Sequence, residues 1–180
     1  MSDLCEALER LKQDPIFHVE QIQGVSTLEP YQKNILTAVR DHDRVVIAAC
    51  HDLGKTFILA KVLLWLGSTF PGAKIITTAP THVQVEMLLW SEIRTGFKAC
   101  KIPLGGTMLN TEWKIDSDWF ALGMSPKDDA GDGQSQGTSS RFQGFHGELV
   151  VVIFDEATGI HPGRWVQLEG LMTSANIKFI

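Results

Sequence analysis

RVVIAACHDLGKTFILAKVLLWLG, residues 44–67, decides the fold. After Arg44 the next six residues, to Cys50, are apolar without alternation, which predicts a parallel strand over 44–50 covered on both faces. A short polar turn follows, and FILAKVLLWLG then reads as a helix that ends near Gly67. Strand, turn and helix in that order are what a phosphate-binding loop requires, because the turn exposes backbone N–H groups and the helix N-terminus faces the anion. Ala49 stands where the GxxxxGK[ST] pattern wants its first glycine. Two readings therefore fit: a nucleotide site, or a helix that happens to begin Gly-Lys-Thr after a buried strand.

In the nucleotide reading, Cys50, His51, Asp52, Leu53, Gly54, Lys55 and Thr56 form the binding loop. The amides from Asp52 onward cradle the phosphates, Lys55 reaches the β- and γ-phosphates, and the Thr56 hydroxyl binds Mg²⁺. A second segment, LVVVIFDEA from Leu149, places two acids after six apolar residues. Hydrolysis of a phosphoanhydride needs a carboxylate near the metal and a base for the attacking water, and Asp155 and Glu156 supply both types. They lie at the C-terminal end of a core strand, where open α/β sheets bind their ligands. A strand ending in a solvated acidic turn is common for one acid and less so for two. Upstream, Tyr31 and Gln32 in LEPYQKNIL offer an aromatic face and an amide for adenine. The polar side of a helix accounts for them equally well.

Elsewhere the pattern predicts a helix over 3–12, a looser connector from Pro15 to Gly24, and a helix over 30–39 opened by Pro30. AKIITTAP, residues 73–80, reads as a second buried strand. Thr81 and Gln84 form a capping box for the next helix, which turns Val85, Leu88, Leu89 and Ile93 inward. Strands around Trp113 and Trp119 suggest a hairpin that turns near Asp116. Residues 125–140 are dense in Gly, Ser, Asp and Gln and read as a mobile loop. A helix over 165–172 then leads to the apolar IKFI. The alternation of strand and helix is the grammar of a doubly wound α/β sheet, mostly parallel and flanked by helices on both faces.

Totals restrict the choices further. With 180 residues, 44% hydrophobic and 21% charged, the chain can bury a real core. A net charge of −5 argues against a surface that grips nucleic acid unaided. Three scattered cysteines write neither a disulfide framework nor a CxxC site, and the histidines lack a zinc spacing. The N-terminus has no apolar signal core, and no run reaches the ~18 residues of a membrane span. These features predict a soluble protein in a reduced, cytosolic setting.

Four stretches together, LEPYQKNIL, ACHDLGKT, TTAPTHVQVEMLLWSEIR and SSRFQGFHGELVVVIFDEATGI, resemble the ATPase domain of large terminase subunits, the DNA-packaging motors of tailed bacteriophages and prophages. The resemblance spans residues 15–180, and APTHVQ and RFQGFHG are its specific parts. It implies a RecA-like P-loop NTPase fold of the ASCE type over 25–180, preceded by an N-terminal helix and connector over 1–24. It also implies hydrolysis of ATP with Mg²⁺, a homo-oligomeric ring at a capsid portal, and duplex DNA, portal protein and small terminase subunit as partners in the host cytoplasm. The family's coupling motif and nuclease domain are expected beyond IKFI, so the chain reads as a truncated polypeptide without nuclease activity. Many terminases carry an arginine in the loop near the position of His51. Either His51, protonated against phosphate, takes that charge-stabilising role, or a different arginine does, Arg141 ahead of Arg164. Two other readings compete: the ATPase domain of a DEAD-like helicase, which needs two such domains, and a catalytically silent nucleotide-binding or assembly module.

Overall fold

A computed structural model describes residues 2–50, 53–124, 147–160 and 177–180. Five α-helices and six strands are described: α1 (Ser2–Gln13), α2 (Pro15–Gln21), α3 (Pro30–Asp41), α4 (Lys55–Thr69), β1 (Lys74–Thr78), α5 (Trp90–Ala99), β2 (Thr107–Met108), β3 (Glu112–Asp116), β4 (Trp119–Met124), β5 (Val150–Phe154) and β6 (Ile177–Phe179). The strands form one mixed, mostly parallel sheet in the order β2-β3-β4-β1-β5-β6, flanked by helices. β1 pairs parallel with both β4 and β5, while β3 runs antiparallel to β2 and β4. The expected α/β class and the Trp113–Trp119 hairpin are both present. The predicted loop over 125–140 and helix over 165–172 lie outside the described residues.

α4 is apolar nearly all round because it is buried nearly all round, from Ile58 to Gly67, between the sheet and helices α1, α2, α3 and α5. Gly67 is required where α4 crosses β3, since any side chain there would overlap the ring of buried Trp113. The Gly67 carbonyl accepts the Trp119 indole N–H at 2.8 Å, which ties the helix to the hairpin. Alternate residues of the central strands face opposite layers, as pleating demands. Ile75, Ala121, Val151 and Ile153 join the large core around α4. Ile76, Met124, Val152 and Phe154 form a smaller cluster with Ile160.

Three local expectations change. Residues 15–21 are helical, because Asp14 accepts the Phe17 amide at 2.9 Å and Pro15 takes the first helical position. The chain between β1 and α5 passes through a π-helical turn, Gln84–Leu89. Its wider i→i+5 bonding rotates each residue less than an α-helix does. Val85, Leu89 and Ile93 face inward as expected, while Leu88 swings out and is 54% exposed. The third change concerns residues 44–50, which do not form a strand covered on both faces. Only Arg44 bridges to Phe179, with Val45 N–H donating to the Phe179 carbonyl at 2.8 Å. The next residue, Ile180, bonds towards β5 instead, exchanging bonds with Val152 and Phe154, and among the described residues no strand pairs with 46–50. The extended chain buries one side only: Val45 and Ile47 pack on the core and Val46 is 93% exposed.

α2 is anchored to α4 by a buried histidine. The Ser68 hydroxyl donates to the Leu64 carbonyl, so His18 Nε2–H donates to Ser68 Oγ at 3.0 Å. Nδ1 then accepts from Gln23 Nε2 at 3.2 Å, which fixes a neutral imidazole. Burial lowers the His18 pKa to about 4 from an ordinary 6.5. The folded state thus binds fewer protons than the unfolded state between these values. The stabilisation is complete above pH 6.5 and is lost as pH falls towards 4, to a total of about 3 kcal/mol. Denaturant titrations at pH 7, 6 and 5 are expected to show this slope in the native sequence and its absence in His18→Gln. Equal slopes would remove His18 as the cause.

Candidate active site

The site forms where α4 begins. Gly54 caps the helix with a left-handed backbone, φ 72°, which glycine adopts without strain. That turn places Lys55 and Thr56 in the first helical positions, facing the C-terminal end of β5. The Thr56 hydroxyl donates to Asp155 Oδ2 at 3.3 Å across 99 residues of sequence. Lys55 Nζ lies 4.0 Å from Glu156 Oε1 and donates to the carbonyls of Ala49 and Cys50 at 3.3 and 3.0 Å.

Two adjacent acids on a continuing strand would point to opposite faces of the sheet. Here the chain leaves β5 through Glu156, which has φ 53° and ψ 48°. It is the one non-glycine with positive φ among the described residues. This conformation costs of the order of 1 kcal/mol or more for a residue with a Cβ. Its result is that both carboxylates face the same helix terminus. The Asp155 amide donates to the Thr78 carbonyl at 2.9 Å and Gly159 N–H donates to the Glu156 carbonyl, so the turn is held from both sides.

The two acids differ in environment. Asp155 is 3% exposed, and burial pushes its carboxyl above the ordinary range, with the Thr56 hydrogen bond opposing and the nearby Glu156 charge adding to the rise. Glu156 is half-buried. A cavity of about 650 Å³, within the range of small-ligand sites, opens beside Lys55, Asp155 and Glu156 and is lined by Val45, Ile47 and Phe179.

Thr56 Oγ1 and Asp155 Oδ2 fit a small divalent cation. Adjacent ligands of octahedral Mg²⁺ at 2.0–2.1 Å are about 2.9 Å apart, close to the present separation, and this ion takes its other ligands from water and phosphate. Among the described residues no group of three His, Cys, Asp or Glu side chains is arranged for a metal. A Mg²⁺ held largely by substrate does not need one.

Most of the loop residues named from sequence are thus brought together: Cys50 and Lys55 line the cavity with Asp155 and Glu156, Thr56 bonds Asp155, and Leu53 and Gly54 lead into the same helix start. Tyr31 and Gln32 also come to the loop, the Tyr31 hydroxyl donating to the Leu53 carbonyl. His51, Asp52, Arg141 and Arg164 lie outside the described residues. The left-handed Glu156 had no signal in the sequence, because glutamate is not a residue that favours this conformation. A scan against protein-family models gave no match, and a search of curated proteins gave none either.

Proposed function

We propose that this chain is an ATP-hydrolysing RecA-like P-loop domain, the motor domain of a DNA-packaging terminase large subunit. One observation carries the nucleotide reading: the Gly-Lys-Thr helix start and the two acids, 99 residues apart in sequence, converge on one cleft, with Thr56 on Asp155 and Lys55 near Glu156. A helix that began Gly-Lys-Thr by chance would have no reason to meet a strand that ends in paired carboxylates. Between residue 44 and β5 lies β6, so the loop-bearing segment starts two strand spacings, or about 9.5 Å, from the acid strand.

In this reading the amides at the start of α4 and the Lys55 ammonium hold the phosphates. Thr56 and Asp155 would hold Mg²⁺, which would supply positive charge against the phosphates. Glu156 accepts a proton from water as the water oxygen bonds to the γ-phosphorus, the bond to the bridging oxygen breaks, and ADP and phosphate leave. Arg141 is the proposed source of additional positive charge. Duplex DNA, a ring of like subunits, portal protein and small terminase subunit follow from the sequence resemblance and belong to the same proposal.

Equilibrium titration with ATP and Mg²⁺, together with turnover measured with and without duplex DNA, tests the reading. Saturable Mg²⁺-dependent binding with slow turnover is expected. Absence of binding would sink it, DNA unwinding would favour a helicase, and tight binding with no turnover under any condition would favour a silent nucleotide-binding module.

A further inference from the structure

We infer that Tyr31 and Gln32 brace the phosphate loop and do not read the base, so that these two residues serve a nucleoside triphosphate through its phosphates, whichever base it carries. The inference rests on the nucleotide reading above and names the substrate class of that site. Three hydrogen bonds run in series from the start of α3 to the loop. The Glu29 amide donates to Gln32 Oε1 at 3.0 Å, Gln32 Nε2 donates to the Tyr31 hydroxyl oxygen at 3.2 Å, and the Tyr31 hydroxyl donates to the Leu53 carbonyl. Reading adenine through an amide needs a donor and an acceptor pointed at the base edge. The Gln32 oxygen already serves the α3 N-terminus, and the side chain is buried. The single hydroxyl proton of Tyr31 is committed to the loop.

The peptide after Leu53 explains what such a brace achieves. It is planar and trans, so a carbonyl drawn towards Tyr31 directs the Gly54 N–H to the opposite side, away from α3. Gly54 itself sits against the pair: a Cβ there would lie 3.7 Å from both Tyr31 Oη and Gln32 Nε2. The two side chains thus set the orientation of the amide that opens α4, next to Lys55. Tyr31 is a positioning residue, acting on phosphate through the loop backbone.

Tyr31→Phe, which deletes only the hydroxyl, separates brace from base reader. Affinities of the native and variant chains are measured for ATP, GTP and inorganic tripolyphosphate, each with Mg²⁺. The expected result is a loss of about three- to tenfold that is equal for all three, the size of one hydrogen bond. A loss confined to ATP, or none, would overturn the inference. Hydrogen exchange in nucleotide-free protein gives a second readout at the Ile58 amide, whose 3.0 Å bond to the Gly54 carbonyl closes the first turn of α4. Faster exchange in Tyr31→Phe supports the brace, and unchanged exchange counts against it. If the native chain bound none of the three ligands, the nucleotide reading would fail, and the exchange result alone would decide the brace.

Discussion

Glu156→Gln is expected to lower ATP turnover by about 10²- to 10⁴-fold, the range for removing a positioned general base. Through transition-state arithmetic this corresponds to about 3–5 kcal/mol on the barrier. The substitution keeps size and hydrogen-bonding reach while removing the basic oxygen. It also leaves the left-handed backbone with a side chain of nearly the same shape, so the fold bears no new cost. Nucleotide affinity should be kept or slightly raised, because one negative charge near the phosphates is gone. Lys55, 4.0 Å from Glu156, would lose an ionic neighbour and gain freedom to meet phosphate. Single-turnover hydrolysis beside a binding titration checks both halves. Normal hydrolysis by the variant would remove Glu156 from the chemistry.

Asp155→Asn should act differently, losing metal-dependent affinity while gaining stability in the empty protein. Burial raises the Asp155 pKa, so the folded state favours the protonated form more than the unfolded chain does. The corresponding stability is full below the ordinary carboxylate range and is lost as pH rises through the raised value. At pH 7 the folded protein therefore carries the desolvation cost of a charged, buried group. Asparagine keeps an oxygen for the Thr56 hydroxyl and removes the charge. Thermal melts without ligand are expected to rise at pH 7, with the gain shrinking as pH is lowered. Mg²⁺-dependent ATP affinity should fall by at least about tenfold, the scale of losing an oxygen that holds a metal or its waters. A variant with unchanged Mg²⁺ dependence would show that the cation is held elsewhere.

The residue types at the candidate site were legible because each is tied to a chemistry: Gly-Lys-Thr to an anion at a helix start, Asp-Glu after an apolar run to a strand end. Their meeting was legible only as far as the strand-helix alternation implied a parallel sheet. Backbone direction was not. Nothing in Asp155 and Glu156 as letters says that the chain turns left-handed between them and Gly159, yet that turn brings both acids to one side. Tyr31 shows the same gap. Its place before the loop was readable, whereas the direction of its hydroxyl depends on the distance between α3 and Leu53. Residues 44–50 misled for another reason: an apolar run reports what a segment can tolerate around it, and the short β6 covers only its first residues. Leu88 faces solvent because a π-helical turn carries it, and the apolar spacing that suits an α-helix does not reveal that wider turn.

The one-sided burial of residues 44–50 bears on how the molecule behaves among its own copies. An extended apolar segment with Val46 outward and little backbone pairing beyond Val45 is a template for adding a strand from another chain. No proline and, within 45–50, no charge interrupts it, so two of the usual devices against intermolecular sheet growth are not written into this segment. Association between copies of the polypeptide is therefore expected to depend on what occupies this edge as well as on its net charge of −5.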